Sequence, residues 1–258
     1  MPDRIRVFAS GFLAIAAFGG FLPTQAYAQD SEQGVSDQEV APGVNPKDNI
    51  TKAEIIGQYA NLEDGLESFS MAFKYDLALN KTWGGNIEVP IVHLSGPDFS
   101  ETAVGDTNLR VRYVRTLDAV SIISAVELVA PTAGDEFAGT GKWQLNPVVG
   151  AVYAFDQQTF AFVGYKHYFS IAGDDDRNDI NRSEVRALFA RLFANATWTL
   201  GDIKYSASHT DLDLETLDLE VEYGSMISKS IALSGRVGTS FLDSSREFGA
   251  SLNLRKIF

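Results

Sequence analysis

From Phe69 to Asn80 the chain reads FSMAFKYDLALN. Phe69, Met71, Phe73, Tyr75, Leu77 and Leu79 fall on one parity, and Ser70, Ala72, Lys74, Asp76, Ala78 and Asn80 on the other. Successive side chains of a strand point to opposite faces, so this stretch predicts a strand with one apolar and one wet face. The signature recurs to the C-terminus. Ile87, Val89 and Ile91 alternate with Asn86 and Glu88, and Leu109, Val111 and Tyr113 with Arg110 and Arg112. Val120, Ile122, Val126 and Leu128 oppose Ser121, Ala125 and Glu127, and Trp143, Leu145, Val149, Ala151, Tyr153 and Phe155 oppose Gln144, Asn146 and Asp156. Leu217, Leu219, Val221 and Tyr223 oppose Asp218, Glu220 and Glu222, and Ile231, Leu233, Val237 and Phe241 oppose Ser234 and Arg236. The last run sets Phe248, Ala250, Leu252, Leu254 and Phe258 against Glu247, Ser251, Asn253 and Arg255. Segments 159–170 and 183–194 carry apolar residues on both parities, which leaves their inward faces open.

The links between these runs alternate in length. Short ones fall near 81–85, 116–119, 156–158, 194–197 and 227–230, and longer polar ones near 93–105, 131–142, 170–183, 208–214 and 242–246. Barrels of the outer membrane show this asymmetry, with short periplasmic turns and long outer loops. An even strand number needs one strand before Glu67, and ITKAEIIGQYANL at 50–62 is the candidate, although Ala53, Ile56, Ala60 and Leu62 also suit a short amphipathic helix. The expected fold is therefore all-β: a transmembrane antiparallel β-barrel over 50–258, with about 12 strands and a range of roughly 10–14.

The start of the chain changes the picture of where this barrel goes. Arg4 and Arg6 precede an apolar run from Val7 to Leu22 and the small-residue site Ala26-Tyr27-Ala28. Basic start, apolar middle and A-x-A site are the parts of a secretory signal peptide, so cleavage after Ala28 is expected and residues 1–28 are set aside as a leader. Residues 29–49 hold almost no large apolar side chains and are expected to form a disordered periplasmic tail. The terminal Phe258 closes an alternating strand and suggests recognition by the barrel-assembly machinery, in the outer membrane of a Gram-negative cell.

Composition then narrows the chemistry. The chain has 258 residues, net charge −13, three histidines and no cysteine. Without cysteine there are no disulfides, thiolate metal sites or cysteine nucleophiles. The acidic balance argues against a nucleic-acid partner, because phosphate binding needs a basic face. The expected partners are outer-membrane lipids, lipopolysaccharide and a small-molecule solute. No cofactor, metal or catalytic residue is expected, and the chain is read as a non-enzyme.

In a closed barrel the polar parity points inward. The candidate lumen-lining set is Lys74, Asp76, Glu88, Arg110, Arg112, Glu127, Glu220, Glu222, Arg236 and Arg255. Successive strands tend to carry opposite signs, so these charges can form a structural lattice, or line a narrow path that selects solutes by sign.

The stretch from about Gly105 to Trp198 resembles a family of outer-membrane transporters named after the meta-pathway of phenol degradation. The likeness is carried by Gly105-Asp106-Thr107-Asn108-Leu109-Arg110-Val111-Arg112-Tyr113, Pro131-Thr132-Ala133-Gly134-Asp135, Gly139-Thr140-Gly141-Lys142-Trp143, Gly164-Tyr165-Lys166-His167-Tyr168-Phe169 and Asp179-Ile180-Asn181-Arg182. Ala133 is an insertion relative to the family's P-T-G-D segment, and Lys81-Thr82-Trp83-Gly84-Gly85 replaces its usual turn. The resemblance implies a barrel that moves small, often hydrophobic or aromatic, compounds, and implies no catalytic residues.

Other chemistries have weaker support. Gly139-Thr140-Gly141-Lys142 ends in Trp143 and lacks the following helix of a phosphate loop. Asp174-Asp175-Asp176-Arg177-Asn178-Asp179 lacks the Gly and Glu of a calcium loop. His93 and Ser95 on one strand face suggest a lipid A deacylase-like hydrolase as an alternative, Ser208-His209-Asp211 has triad composition, and a structural or adhesin-like barrel is a third reading.

Overall fold

In a computed structural model, residues 41–210 and 214–258 are described; the expected leader and residues 29–40 of the expected tail lie outside them. The strands are β1 (Lys52–Leu62), β2 (Leu66–Ala78), β3 (Trp83–Gly96), β4 (Phe99–Val104), β5 (Thr107–Leu117), β6 (Val120–Ala130), β7 (Lys142–Ala154), β8 (Thr159–Gly173), β9 (Asn181–Leu192), β10 (Thr197–Ser208), β11 (Glu215–Ser228), β12 (Ile231–Leu242) and β13 (Arg246–Ile257). Each pairs antiparallel with its sequence neighbour, and β1 closes the sheet on β13 from Lys52↔Ile257 to Leu62↔Arg246. β4 and β5 both pair with β3, along its second and first halves. They are one barrel strand broken at Gly105-Asp106, so the closed barrel has twelve staves. Segment 50–62 is a strand and not a helix, because its partners on both sides satisfy its backbone groups and its even positions continue the inward row of β2.

The alternation sets the two faces. Phe73, Tyr75, Val111, Val149, Val163, Phe189, Val221 and Leu252 are exposed on the outside, a surface that only lipid can cover. Aromatic rings collect near both rims: Trp83 against Tyr113 and Tyr153 against Phe155 at the end bearing the chain terminus, Tyr165 against His167 at the other. The first rim also carries the start of β1 and the turns 79–82, 118–119, 155–158, 193–196 and 229–230, which identifies it as the periplasmic one. At the outer rim the expected link 93–105 is mostly a hairpin of β3 and β4, and β8 runs on to Gly173. The long connections described there are 131–141 and 174–180.

The two segments with apolar residues on both parities are now resolved. Phe160, Phe162, Leu188, Ala190 and Leu192 point inward, as do Lys166, Tyr168, Glu184 and Arg186. Together with Val114, Ile123, Val152, Trp198, Leu200 and Ala232 the apolar ones build a core inside the periplasmic half of the barrel. Trp198 is fully buried, its ring lies over Gly224, where a Cβ would sit 2.1 Å from it, and its Nε1 donates to Glu222 at 2.8 Å.

This core explains a departure from the sequence reading. Residues 41–49 of the expected periplasmic tail are packed inside the lumen, with Ala41 and Val44 in the apolar cluster. A segment poor in apolar residues cannot fold alone, but here the barrel supplies the partners it lacks.

Candidate functional site: the occluded lumen

All ten candidate lumen residues lie on inward rows: Lys74, Asp76, Glu88, Arg112, Glu127, Glu222 and Arg255 are buried, and Arg110, Glu220 and Arg236 are half-buried. Cross-strand register places opposite charges side by side. Arg255 faces Glu54, Glu54 faces Lys74, and Lys74 faces Glu88. Arg110 faces Glu127, Lys166 faces Glu184, Lys204 faces Asp218 and Glu222 faces Arg236. Buried charges are tolerated when paired and hydrogen-bonded, and most of this ring meets that condition; Lys74 Nζ, between Glu54 and Glu88 in register, is buried without a hydrogen-bond partner among the described residues.

Three networks make up the ring. Glu54 binds Lys52 at 2.7 Å and Arg255 at 2.8 Å, and accepts from Asn253 at 2.9 Å. Glu127 accepts from Asn108 at 2.7 Å, Arg110 at 2.9 Å and Lys166 at 2.7 Å. On the opposite wall Arg236 bridges Asp202 at 3.0 Å, Glu220 at 3.1 Å and Glu222 at 2.7 Å, while Arg186 grips Asp202. Arg246 extends this last network to Glu220 at 2.8 Å and Asp218 at 3.2 Å, and Lys204 binds Asp218 at 2.8 Å. Lys52, Glu54, Lys166, Glu184, Arg186, Asp202, Lys204, Asp218 and Arg246 are thus lumen charges absent from the sequence-based set. Their alternation was readable in KAEI and GDIK; Lys166, Glu184 and Arg186 are masked by apolar residues on both parities.

Two of the expected lumen residues act on the N-terminal segment. Arg112 donates from Nε to Asn49 Oδ1 at 2.7 Å, from Nη1 to the Pro46 carbonyl at 3.3 Å, and from Nη2 to the Asp48 carbonyl. Arg255 donates to the Gly43 carbonyl, and Asn49 donates to the carbonyls of Asn80 and Lys81 in the β2–β3 turn. Segment 41–49 is therefore a plug at the periplasmic mouth, held by two guanidinium groups and an apolar contact. Burial pushes the Asp48 carboxyl up to about 7, although Lys47 and Arg112 pull the other way.

Above the plug, between β9–β13 and β1–β2, a cavity of about 70 Å³ is lined by Gln58, Ser68 and Ser70 on one side and Arg186, Asp202, Glu220 and Arg236 on the other. At roughly 10–15 Å³ per water it holds a few waters; a 150 Å³ cavity is the size that accepts benzene.

The rival sites fare differently. His93 Nδ1 bonds Thr102 Oγ1 at 2.7 Å, its cross-strand partner, and not Ser95. His209 Nε2 bonds Ser183 Oγ at 2.8 Å, Ser208 pairs with Thr210, and Asp211 lies outside the described residues. His167 joins Tyr165, Ser183 and His209 in a rim cluster that ties β8, β9 and the end of β10 together. Thr140 in the glycine-rich loop is held by Asp106 at 2.7 Å, with no helix behind it. Among the described residues no group of three or more His, Asp or Glu side chains could hold a metal ion.

A closed, antiparallel, twelve-stave barrel with a lipid-facing apolar surface and a polar, charged interior defines the class: an outer-membrane β-barrel of channel architecture. No family model matches the chain and no curated protein matches it in sequence. In fold it is similar to the COG4313 outer membrane channel from Pseudomonas putida F1, with TM-score 0.66, 16% identity, and coverage of 88% of this chain and 100% of that one. It is also similar to the KdgM porin (TM-score 0.60, 10% identity, 80% of this chain and 99% of that one) and the NanC porin (TM-score 0.60, 9% identity, 80% and 99%).

Proposed function

We propose that the protein is an outer-membrane channel for small solutes whose periplasmic mouth is closed at rest by its own residues 41–49. The observation that carries this reading is Arg112: β5 places it inside the lumen, and each of its three guanidinium nitrogens donates to the plug backbone or Asn49, so the wall holds a segment that belongs to no strand. The fold likeness to channels supports the same conclusion.

The solutes are small and apolar or weakly polar. The ten expected lumen charges divide into five basic and five acidic residues, Lys74, Arg110, Arg112, Arg236 and Arg255 against Asp76, Glu88, Glu127, Glu220 and Glu222. Paired in this way they leave little field of one sign to draw a polyanion, in contrast to the KdgM porin, which was solved in complex with disordered oligogalacturonate. The apolar core at the periplasmic end, of Phe160, Phe162, Trp198 and Leu200, offers a surface for hydrophobic groups once the plug leaves. The resemblance of residues 105–198 to the meta-pathway transporter family points to the same solute class.

Proteoliposomes loaded with this protein test the reading by solute uptake. Faster entry of a small aromatic such as phenol or benzyl alcohol than of a charged sugar acid of equal size is expected. Equal rates, or none above empty liposomes, would contradict it.

A further inference from the structure

The loop 131–141 (PTAGDEFAGTG) carries one large apolar side chain, Phe137. That ring does not face lipid. It packs inside the outer mouth against Leu62, Leu66 and Leu94, inward residues at the outer ends of β1, β2 and β3, with Ala60 beside them. These leucines break the polar inward row that Gln58, Ser68 and Ser70 set next to them. Neither lipid contact nor strand pairing requires leucine there. Ala60 also lines the luminal cavity, so the leucine pocket opens directly onto the path through the barrel.

The rest of the loop is held by polar contacts at the wet rim. The inward carboxylate of Asp106, at the break between β4 and β5, accepts from the backbone N–H groups of Ala133 at 3.2 Å and Thr140 at 2.7 Å and from the Thr140 hydroxyl at 3.0 Å. From the facing loop, Arg177 donates to the carbonyls of Glu136 at 2.9 Å and Gly139 at 2.7 Å and pairs with the Glu136 carboxylate at 3.3 Å. Each of these hydrogen bonds can be exchanged for one to water, and the half-buried Phe137 ring is the loop's one large apolar anchor. The roots are glycines with positive φ, Gly141 at 68° just before β7 and Gly173 at 137°, which pairs in register with Lys142, and both allow the loops to leave the strands sharply.

We propose that the Leu62–Leu66–Leu94 pocket is an outer docking subsite for a small apolar ring, and that such a ring, by taking the place of Phe137, lifts the 131–141 loop from the mouth. The pocket holds a phenyl ring already, so its shape and chemistry suit an external one, and the two cannot occupy it together. A solute thereby opens its own way into the cavity, and the loop falls back when the pocket empties. This rests on the channel reading above and specifies how its outer end is operated.

The absence of cysteine makes a clean test available. Ala138, buried beside Phe137, is replaced in Ala138→Cys, and the rate of maleimide labelling is measured in detergent micelles with toluene as the probe. Saturating toluene is expected to raise the rate by about five-fold or more. In the double variant Phe137→Ala/Ala138→Cys labelling is expected to be fast and indifferent to toluene. A toluene-insensitive rate in the single variant, with Phe137→Ala still accelerating it, would show Phe137 to be a fixed staple and overturn the proposal. In the unmodified chain, cleavage after Glu136 by a glutamate-specific protease is expected to quicken with toluene; no change there overturns it equally. Labelling and cleavage report the loop, and conductance reports the lumen, so failure here is distinct from failure of the channel reading.

Discussion

Asp48 is the only acid of the plug segment, and burial raises its carboxyl from 3.8 to about 7. A buried carboxyl with a raised pKa binds its proton more tightly when seated than when released. Its seating is therefore favoured below about pH 4, weakens as pH rises between the two values, and is weakest above about 7. The plug is expected to protect the lumen less at pH 8 than at pH 5, read as hydrogen exchange of residues 41–49, and Asp48→Asn is expected to flatten that dependence. An unchanged slope in the variant would remove Asp48 from the account. Glu127 poses the opposite case. It accepts from Asn108, Arg110 and Lys166, so Glu127→Ala strips a buried network of the carboxylate that joins Arg110 to Lys166. Breaking a buried pair from one side costs about 3–5 kcal/mol. A fall in the unfolding midpoint of the folded barrel in micelles checks this, and a loss below about 1 kcal/mol would mean water already reaches the site.

At the scale of elements, parity is the governing fact. Val221 on β11 faces lipid, and Val221→Lys is expected to cost about 2–4 kcal/mol if the residue lies near the bilayer midplane, whereas Ser70→Lys on the lumen side of β2 is expected to cost far less. Equal losses for the two, measured by reversible unfolding in lipid, would mean the faces are assigned the wrong way round. Gly224 answers Trp198 across β10 and β11, and a methyl group there would strike the indole, so Gly224→Ala is expected to lower stability by about 1–3 kcal/mol. Most of this architecture was legible in the sequence because each stave with one wet face writes a period of two. β8 and β9 were not, since their inward rows change from charged at Lys166, Glu184 and Arg186 to apolar at Phe160, Phe162, Leu188 and Leu192, and both parities then look alike. The seat of residues 41–49 was not legible for a different reason: its partners, Arg112, Arg255 and the Trp198 core, lie far away in sequence and meet only when the barrel closes.

The described residues form a cylinder that pairs charges within and carries exposed acids such as Asp135, Glu136, Asp174 and Asp175 in its outer loops. Strand by strand neutralisation explains how so narrow a lumen tolerates Glu54, Glu127, Asp202 and Glu222 together with Lys52, Lys166, Arg186 and Arg236. The plug at the periplasmic mouth and the Phe137 loop at the outer one lie outside this lattice of paired strands, so either can move without unzipping a strand. Single-channel recording in planar bilayers, comparing the full chain with a variant lacking residues 41–49, tests this most directly. The account expects the full chain to be closed or to open rarely and the shortened one to show steady, discrete conductance with little preference for ion sign. Equal conductance in the two, or a shortened barrel that folds and passes nothing, would contradict it.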